Sequence, residues 1–242
     1  MISKRYKIAD KVVEINSIHD KVHIYCADYR TNEKADYSVA TTQADIDYER
    51  EKSAHEDEVE GRPVRYYSDE YLEELAVYRK MAEKMTDYNT ILFHGSVIAV
   101  DGHGYLFTAK SGTGKSTHTR LWREYFGDKA VMVNDDKPMI HIGETVTVYG
   151  TPYNGKHNLG TNISVPLKAI CILTRSEDNH IEPITKAQAY TMLLQQVYRS
   201  SDRQKMQKIL MLVDSLSEKT ALYRLGCNMD IEAAKIAYEG MK

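Results

Sequence analysis

The residues best suited to chemistry lie in one short segment, AKSGTGKSTH at positions 109–118. It matches the phosphate-binding pattern G-x-x-x-x-G-K-[ST], except that Ala109 replaces the first glycine. Glycines in such a loop let successive backbone N–H groups point at phosphate oxygens, and the helix that follows adds the positive end of its dipole. The residues expected to bind nucleotide are Ser111, Gly112, Thr113, Gly114, Lys115, Ser116 and Thr117.

Two residues of this loop have separate expected roles. Lys115 would reach the β- and γ-phosphates of ATP, and the Ser116 hydroxyl would bind Mg²⁺. Ala109 is compatible with the loop if its backbone φ is negative, because the first glycine gives nothing unique to the phosphate. The alternative interpretation is a Gly/Ser-rich turn that happens to end in Gly-Lys-Ser. The loop therefore predicts ATP and Mg²⁺ as cofactors.

A pair of carboxylates, Asp135 and Asp136, follows Lys115 by 20 and 21 residues. One helix and one short strand fit this interval, so the strand at 130–133 is expected to return beside the loop. One carboxylate would then bind Mg²⁺ and the other would accept a proton from an attacking hydroxyl. Which residue takes which role stays open, and a turn with two solvated carboxylates is the alternative.

His94-Gly95, about 15 residues before the loop, completes a pattern with the loop and the Asp-Asp pair. Over roughly 90–175 the chain resembles HPr kinase/phosphorylase and the nucleotide domain of ATP-dependent phosphoenolpyruvate carboxykinase. The resemblance implies a P-loop fold on a mixed sheet and makes a homo-oligomer plausible. It also implies an active-site role for His94 and a phosphate or substrate contact for Lys156. A packed strand histidine and a mobile surface loop are the respective alternatives.

The pattern of apolar residues predicts an α/β protein. Residues 1–88, a β-rich segment with one helix, would form either a small appended module or the first layer of one domain. A P-loop core that ends in helices would follow at 89–242. Within 1–88, we expect strands at 11–15, 21–29 and 36–42, a solvated loop or weak helix at 45–60, and a helix from 68 or 69 to 85. The core has strands at 91–100, 105–109, 130–133 and 166–175, a hairpin at 138–150, and helices near 186–199, 202–217 and 230–241.

The composition argues against nucleic acid and membranes as binding partners, and it also bears on the location of the protein. The net charge of −3 gives no basic field for nucleic acid, and no apolar run approaches the roughly 18 residues of a membrane span. Three cysteines without a CxxC pair, and an N-terminal segment unlike a signal peptide, favour a cytoplasmic location. The zinc-type spacing of Cys and His is also missing.

Together these features indicate a kinase that moves the γ-phosphoryl group of ATP to a Ser or Thr hydroxyl. The resemblance favours a small protein or peptide as the acceptor. Two alternatives remain open: a kinase acting on a small metabolite, and a non-catalytic NTP-binding module whose nucleotide state controls a partner.

Overall fold

The computed structural model describes residues 1–242, which divide into two units, Met1–Lys84 and Met85–Lys242. In the first unit, β1 and β2 form an antiparallel pair, and β3 joins β2 in parallel. Its elements are β1 (Ile2–Ile8), β2 (Lys11–Ser17), α1 (Lys21–Tyr25), β3 (Tyr37–Ala40), α2 (Gln43–Val59) and α3 (Asp69–Met85).

The strand predicted at 21–29 is wrong, because this segment forms α1 and a short 3-10 turn. Val22 and Cys26, four residues apart, are both buried, whereas Ile24 is 68% exposed. That spacing is the period of a helix and not of a strand. The buried His23 ring is held by hydroxyls at both nitrogens, Tyr6 Oη at 2.8 Å and Ser17 Oγ at 2.9 Å.

The acidic segment 45–60 adopts the helical alternative, as α2. The Asp45 carboxylate accepts a hydrogen bond from the Thr42 backbone N–H at 2.9 Å, which satisfies a donor at the helix start. The buried Glu49 pairs with Arg79 of α3 at 2.5 Å. Part of the acidic character of α2 is therefore used in packing against α3.

The second unit is a mixed, curled sheet of nine strands flanked by helices. The main path of the sheet runs β4-β8-β9-β10-β6-β5-β7, with β12 beside β10 and β11 beside β12. The strands are β4 (Thr90–Leu92), β5 (Ser96–Val100), β6 (His103–Thr108), β7 (Val131–Asn134), β8 (Met139–Ile142), β9 (Val146–Tyr149), β10 (Ser164–Arg175), β11 (His180–Pro183) and β12 (Ala221–Cys227). The helices are α4 (Lys115–Phe126), α5 (Lys186–Gln196), α6 (Arg203–Lys219) and α7 (Glu232–Met241). None of the helices in the chain combines the length and apolar character that a membrane span requires.

Apolar side chains cover this sheet in two clusters. One unites Leu193 of α5 and Val213 of α6 with strand residues such as Ile170. The other unites Trp122 of α4 and Ala237 of α7 with Phe107 and other strand residues. Consecutive residues of β6 belong to different clusters, since Leu106 joins the first and Phe107 the second. Both faces of β6 are therefore buried, and the strand holds the start of α4 in a fixed position.

Two expectations about strands need correction. The strand predicted at 91–100 is broken into β4 and β5, which pair with different neighbours. The break falls at His94-Gly95, where a side chain on Gly95 would stand 3.0 Å from the Phe107 carbonyl oxygen. One of the two parallel partners of β10, the strand β12 at 221–227, was not predicted. It lies between two helices and has few turn signals of its own.

The strand before the Asp-Asp pair, β7, ends at the same edge of the sheet as β6, although the two strands are not direct neighbours. It pairs with β5, which separates it from β6. Because β5 is antiparallel to both neighbours, β6 and β7 run in the same direction. The end of β6, the end of β7 and the start of β5 therefore meet at one edge of the sheet.

Candidate functional site

The loop after β6 has the backbone that its glycines allow. Gly112 and Gly114 have φ of +75° and +124°, a region that other residues rarely adopt. Ala109 is fully buried at the end of β6 and is not among the residues with positive φ, which meets the condition for alanine at that position. Alanine can therefore replace the first glycine of the pattern without strain in the backbone.

Several amides of this loop are unpaired. The Thr113 N–H donates to the Lys110 carbonyl at 3.2 Å and closes the turn. The N–H groups of Ser111, Gly112 and Gly114 make no hydrogen bond within the chain. They lie next to the start of α4, whose first N–H groups have no intrahelical partner. The loop is thus a concentration of free donors at a helix N-terminus, an arrangement that suits an anion.

His94, Lys115 and Asp136 form one group at the shared sheet edge. His94 Nε2 lies 3.3 Å from Asp136 Oδ1, and Lys137 Nζ lies 3.4 Å from Asp136 Oδ2. Burial raises the pKa of Asp136, but the His94 hydrogen bond and the charges of Lys137 and His94 outweigh it and lower the pKa overall. Burial also lowers the pKa of Lys115, partly offset by the Asp136 charge. Asp136 is therefore ionised at neutral pH.

Asp135 points elsewhere. Its Oδ1 accepts the Gly155 N–H at 2.7 Å, and a side chain on Gly155 would lie 3.2 Å from Oδ2. Asn134 supports this arrangement, because its amide nitrogen donates to Asn154 Oδ1 at 3.1 Å while its own Oδ1 accepts the Asp136 N–H at 2.9 Å. Asn134 thereby ties the loop at 151–162 to the Asp-Asp turn.

Two clefts flank the start of α4. The loop cleft has a volume of about 420 Å³. It is lined by Gly112, Thr113, Gly114, Thr117, His118, Arg175, Ser176, Cys227, Asn228 and Met229. The basic cleft has a volume of about 510 Å³. It is lined by Ser116, Thr117, Thr119, Arg120, Arg123, Asp135, Lys156, His157 and Leu159.

In the loop cleft, the ring of His118 has a fixed protonation state. Trp122 Nε1–H donates to His118 Nε2 at 3.0 Å, so that nitrogen carries no proton. Burial lowers the pKa of His118 to about 3, which keeps the ring neutral. Its Nδ1 is buried and has no hydrogen-bond partner. In the same cleft, Arg175 Nη2 donates to the Gly112 carbonyl at 2.7 Å and braces the loop.

The candidate residues thus fall into two groups around the loop. His94, Lys115 and Asp136 belong to one, and Ser116, Asp135 and Lys156 line the basic cleft, while Thr117 borders both clefts. Ser111 is exposed and lines neither cleft. In the loop at 151–162, Asn158 has φ of +48° and accepts a hydrogen bond from the Asn154 side chain.

Residues 70–231, about two thirds of the chain, match the model of a protein family described as SynChlorMet cassette protein ScmC. The chain belongs to the ScmC family. The matched range contains the loop, the Asp-Asp pair, His94 and Lys156. The family description states no reaction, so function has to be argued from the site.

Other comparisons add little to the ScmC match. No curated protein matches the chain significantly. Among solved structures, the Hpr(Ser) kinase/phosphatase from Coxiella burnetii aligns at 8% identity with a TM-score of 0.35. That alignment covers 62% of this chain and 95% of the other. A similarity at this level carries no argument about the reaction.

Three residues of the site were not predicted from the sequence. Lys137 contacts Asp136, Asn134 joins two loops, and Arg175 braces the glycine loop. Asn134 and Lys137 flank the Asp-Asp pair, so their position was a usable signal. Arg175 had none, because it reaches the loop from the end of β10, 63 residues away in sequence.

Proposed function

We propose that the chain is an ATP-dependent kinase that transfers the γ-phosphoryl group to a Ser or Thr hydroxyl of a small protein or peptide. One observation carries the proposal. A glycine loop with free amides, Lys115 and an ionised Asp136 paired with His94 converge at one edge of the sheet. Positioned donors and a nearby carboxylate are what phosphoryl transfer requires of a protein.

The triphosphate would lie on the loop amides and Lys115. The nucleoside end would extend into the loop cleft, because Gly112, Thr113 and Gly114 line that cleft and Asp136 does not. The neutral His118 ring and the Arg175 guanidinium, which donates to the Gly112 carbonyl, would line the part of this cleft nearest the loop.

Mg²⁺ would be held by the Ser116 hydroxyl and the Asp135 carboxylate, which line the same cleft. No group of three or more His, Cys, Asp or Glu side chains forms a complete metal site. This suits Mg²⁺, which usually takes one or two carboxylates together with substrate phosphates and water. When bound, the ion would neutralise charge on the β- and γ-phosphate oxygens.

Asp136 would act as the base. The acceptor oxygen forms a bond to the γ-phosphorus while the bond from that phosphorus to the bridging β-oxygen breaks, and ADP leaves. The hydroxyl proton passes to the Asp136 carboxylate, which His94 holds in orientation. Lys115 stabilises the negative charge that moves onto the bridging oxygen.

The test is transfer from radiolabelled ATP with Mg²⁺ to a library of Ser- and Thr-containing peptides. Lys115→Ala and Asp136→Asn should each lower transfer at least about a hundredfold, a typical effect of losing a charge-stabilising or proton-accepting group. Lys129→Ala and Asp128→Asn are matched controls, because both side chains are exposed beyond the end of α4. These controls should retain the parent rate.

Transfer that survives both Lys115→Ala and Asp136→Asn would overturn the proposal. Nucleotide binding without transfer to any acceptor would replace it with a regulatory NTP-binding module. Transfer to metabolites but to no peptide would replace it with a metabolite kinase.

A further inference from the structure

The lining of the basic cleft is unbalanced in charge. Arg120, Arg123 and Lys156 contribute cations, and Asp135 contributes the single carboxylate. That carboxylate already accepts the Gly155 N–H. Lys156 and His157 are exposed and make no ion pair with the chain. The residues that line the cleft therefore carry more positive than negative charge.

Arg120 and Arg123 lie too far along α4 to serve the γ-phosphate. Ser116, Arg120 and Arg123 are spaced i, i+4 and i+7, which places them on one face of the helix. At about 1.5 Å per residue, the two arginines are roughly 6 and 10 Å beyond Ser116 along the axis. Arg120 also points away from the loop, since its Nη1 pairs with Glu124 Oε1 at 2.5 Å.

The two guanidinium groups have capacity for a ligand. The Arg120–Glu124 pair is between exposed side chains, so it contributes little and exchanges readily with another carboxylate. The Nε of Arg123 is buried and has no hydrogen-bond partner. A buried donor without a partner costs free energy, and a ligand acceptor that reached it would recover that cost.

We propose that the basic cleft binds the phosphoacceptor and selects an acidic peptide segment. This inference rests on the proposed kinase function. The acceptor hydroxyl would lie at the Ser116 end, where Asp135 lines the cleft and the next residue is the base Asp136. Carboxylates on the same segment would pair with Arg120, Arg123 and Lys156. The row from Ser116 to Arg123 matches about three residues of extended peptide at roughly 3.3 Å each. Arginine suits this task because its planar group binds carboxylates with two parallel hydrogen bonds.

The experiment uses three labelled peptides, each with one central serine flanked by glutamate, glutamine or lysine. Binding is measured by fluorescence anisotropy, and transfer from ATP is measured as kcat/KM. The full chain should prefer the glutamate peptide over the glutamine peptide by at least about tenfold, with a preference that weakens as salt is added. The double variant Arg120→Glu, Arg123→Glu should reverse the order and favour the lysine peptide.

Two controls accompany the double variant. Arg203→Gln removes an exposed arginine from α6, a helix that packs in a different apolar cluster from α4. This variant should keep the preference for the glutamate peptide. MgATP affinity should stay within about twofold of the parent in the double variant, which shows that the loop is intact. Equal binding of all three peptides, or a glutamate preference that survives the double variant, overturns the proposal.

Failure of the kinase function gives a different result. If MgATP binds and no peptide is phosphorylated, the proposed transfer step is wrong. Fluorescence anisotropy then still shows whether the basic cleft binds the acidic peptide. Charge-dependent binding that the double variant reverses supports the acidic ligand even then. Transfer to free anionic metabolites but not to the glutamate peptide counts against a peptide occupant.

Discussion

At the scale of single residues, the backbone of Gly114 is the most sensitive point of the site. Its φ of +124° is a backbone conformation that is strained for any residue with a side chain. The strain would come from the backbone alone, because an added Cβ would meet no atom within 4 Å. Gly114→Ala should therefore cost about 1–3 kcal/mol or force the loop to relax. A relaxed loop loses its convergent amides, so affinity for a fluorescent ADP analogue should fall at least about tenfold.

Gly127→Ala is the matched control for this change. Gly127 has φ of +54° at the other end of α4, so alanine strains the same helix far from the loop. Both variants should lower the melting temperature, and only Gly114→Ala should lower nucleotide affinity. Equal affinities in the two variants would show that the loop conformation does not control binding.

Individual residues also show where sequence reasoning is strongest. Lys115 and Ser116 could be named because the loop pattern extends over consecutive positions of the chain. The sequence did not show which of Asp135 and Asp136 binds metal and which accepts a proton, because that depends on the residues that each carboxylate contacts in the folded chain. Asp135 meets the Gly155 N–H and Asp136 meets His94, and neither contact has a local signature.

At the scale of elements, Glu73 anchors α3 to the small sheet of the first unit. This buried carboxylate accepts the N–H groups of Ile18 and His19 and the Thr41 hydroxyl. Burial raises the pKa of Glu73, but these hydrogen bonds lower it overall. A carboxyl with a lowered pKa in the folded state stabilises the fold above its unfolded pKa, about 4.3, and loses that contribution as the pH falls through the lower folded value.

The first unit should accordingly become less stable as the pH falls below about 4.3. Glu73→Gln should lower stability at neutral pH and flatten this acid dependence. Urea unfolding followed by circular dichroism at several pH values measures both effects. Glu70→Gln, an exposed glutamate one turn earlier on α3, should leave the pH dependence as it is. An unchanged acid slope in Glu73→Gln would show that another group controls it.

Element types were predicted well for several segments with clear apolar patterns, although β1, which is buried on one side, was not predicted. The hairpin of β8 and β9 and the three C-terminal helices were predicted, and the apolar face of α6 was the clearest helical pattern. The 21–29 segment misled because β-branched and aromatic residues occupy a short helix whose burial depends on contacts with Tyr6 and Ser17. The break at His94-Gly95 was also not predicted, because the close approach of Gly95 to the Phe107 carbonyl oxygen involves a neighbouring strand.

At the scale of the whole molecule, the single tryptophan gives the second unit its own reporter. Trp122 is fully buried on α4 and donates to His118, which lines the loop cleft. Its fluorescence on unfolding therefore reports Met85–Lys242, whereas circular dichroism reports both units. MgATP at about a hundredfold over its Kd should stabilise the tryptophan transition by about 2.7 kcal/mol.

Lys115→Ala should abolish this nucleotide-dependent shift, and Lys129→Ala should preserve it. Persistence of the shift in Lys115→Ala would place the nucleotide somewhere other than the loop. Absence of a shift in the parent chain would contradict nucleotide binding at this site altogether.

The order of strands is the part of the molecule that sequence could not supply. Residues 94, 115 and 136 meet because β5 separates β6 from β7 and runs opposite to both. Spacing along the chain predicts that β7 returns to the same edge, but it does not predict which strand it pairs with. That choice is made by contacts between residues far apart in sequence.

The cysteines of this fold bear on its behaviour toward oxidants. Burial raises the pKa of Cys26 to about 12, and it raises the pKa of Cys171 and of Cys227, which borders the loop cleft. Thiolates are the reactive form, so all three side chains stay protonated and slow to react at neutral pH. The Cys227 sulfur beside the glycine loop should therefore react slowly with disulfide reagents, whereas peroxide should first oxidise Met229, an exposed methionine that lines the same cleft.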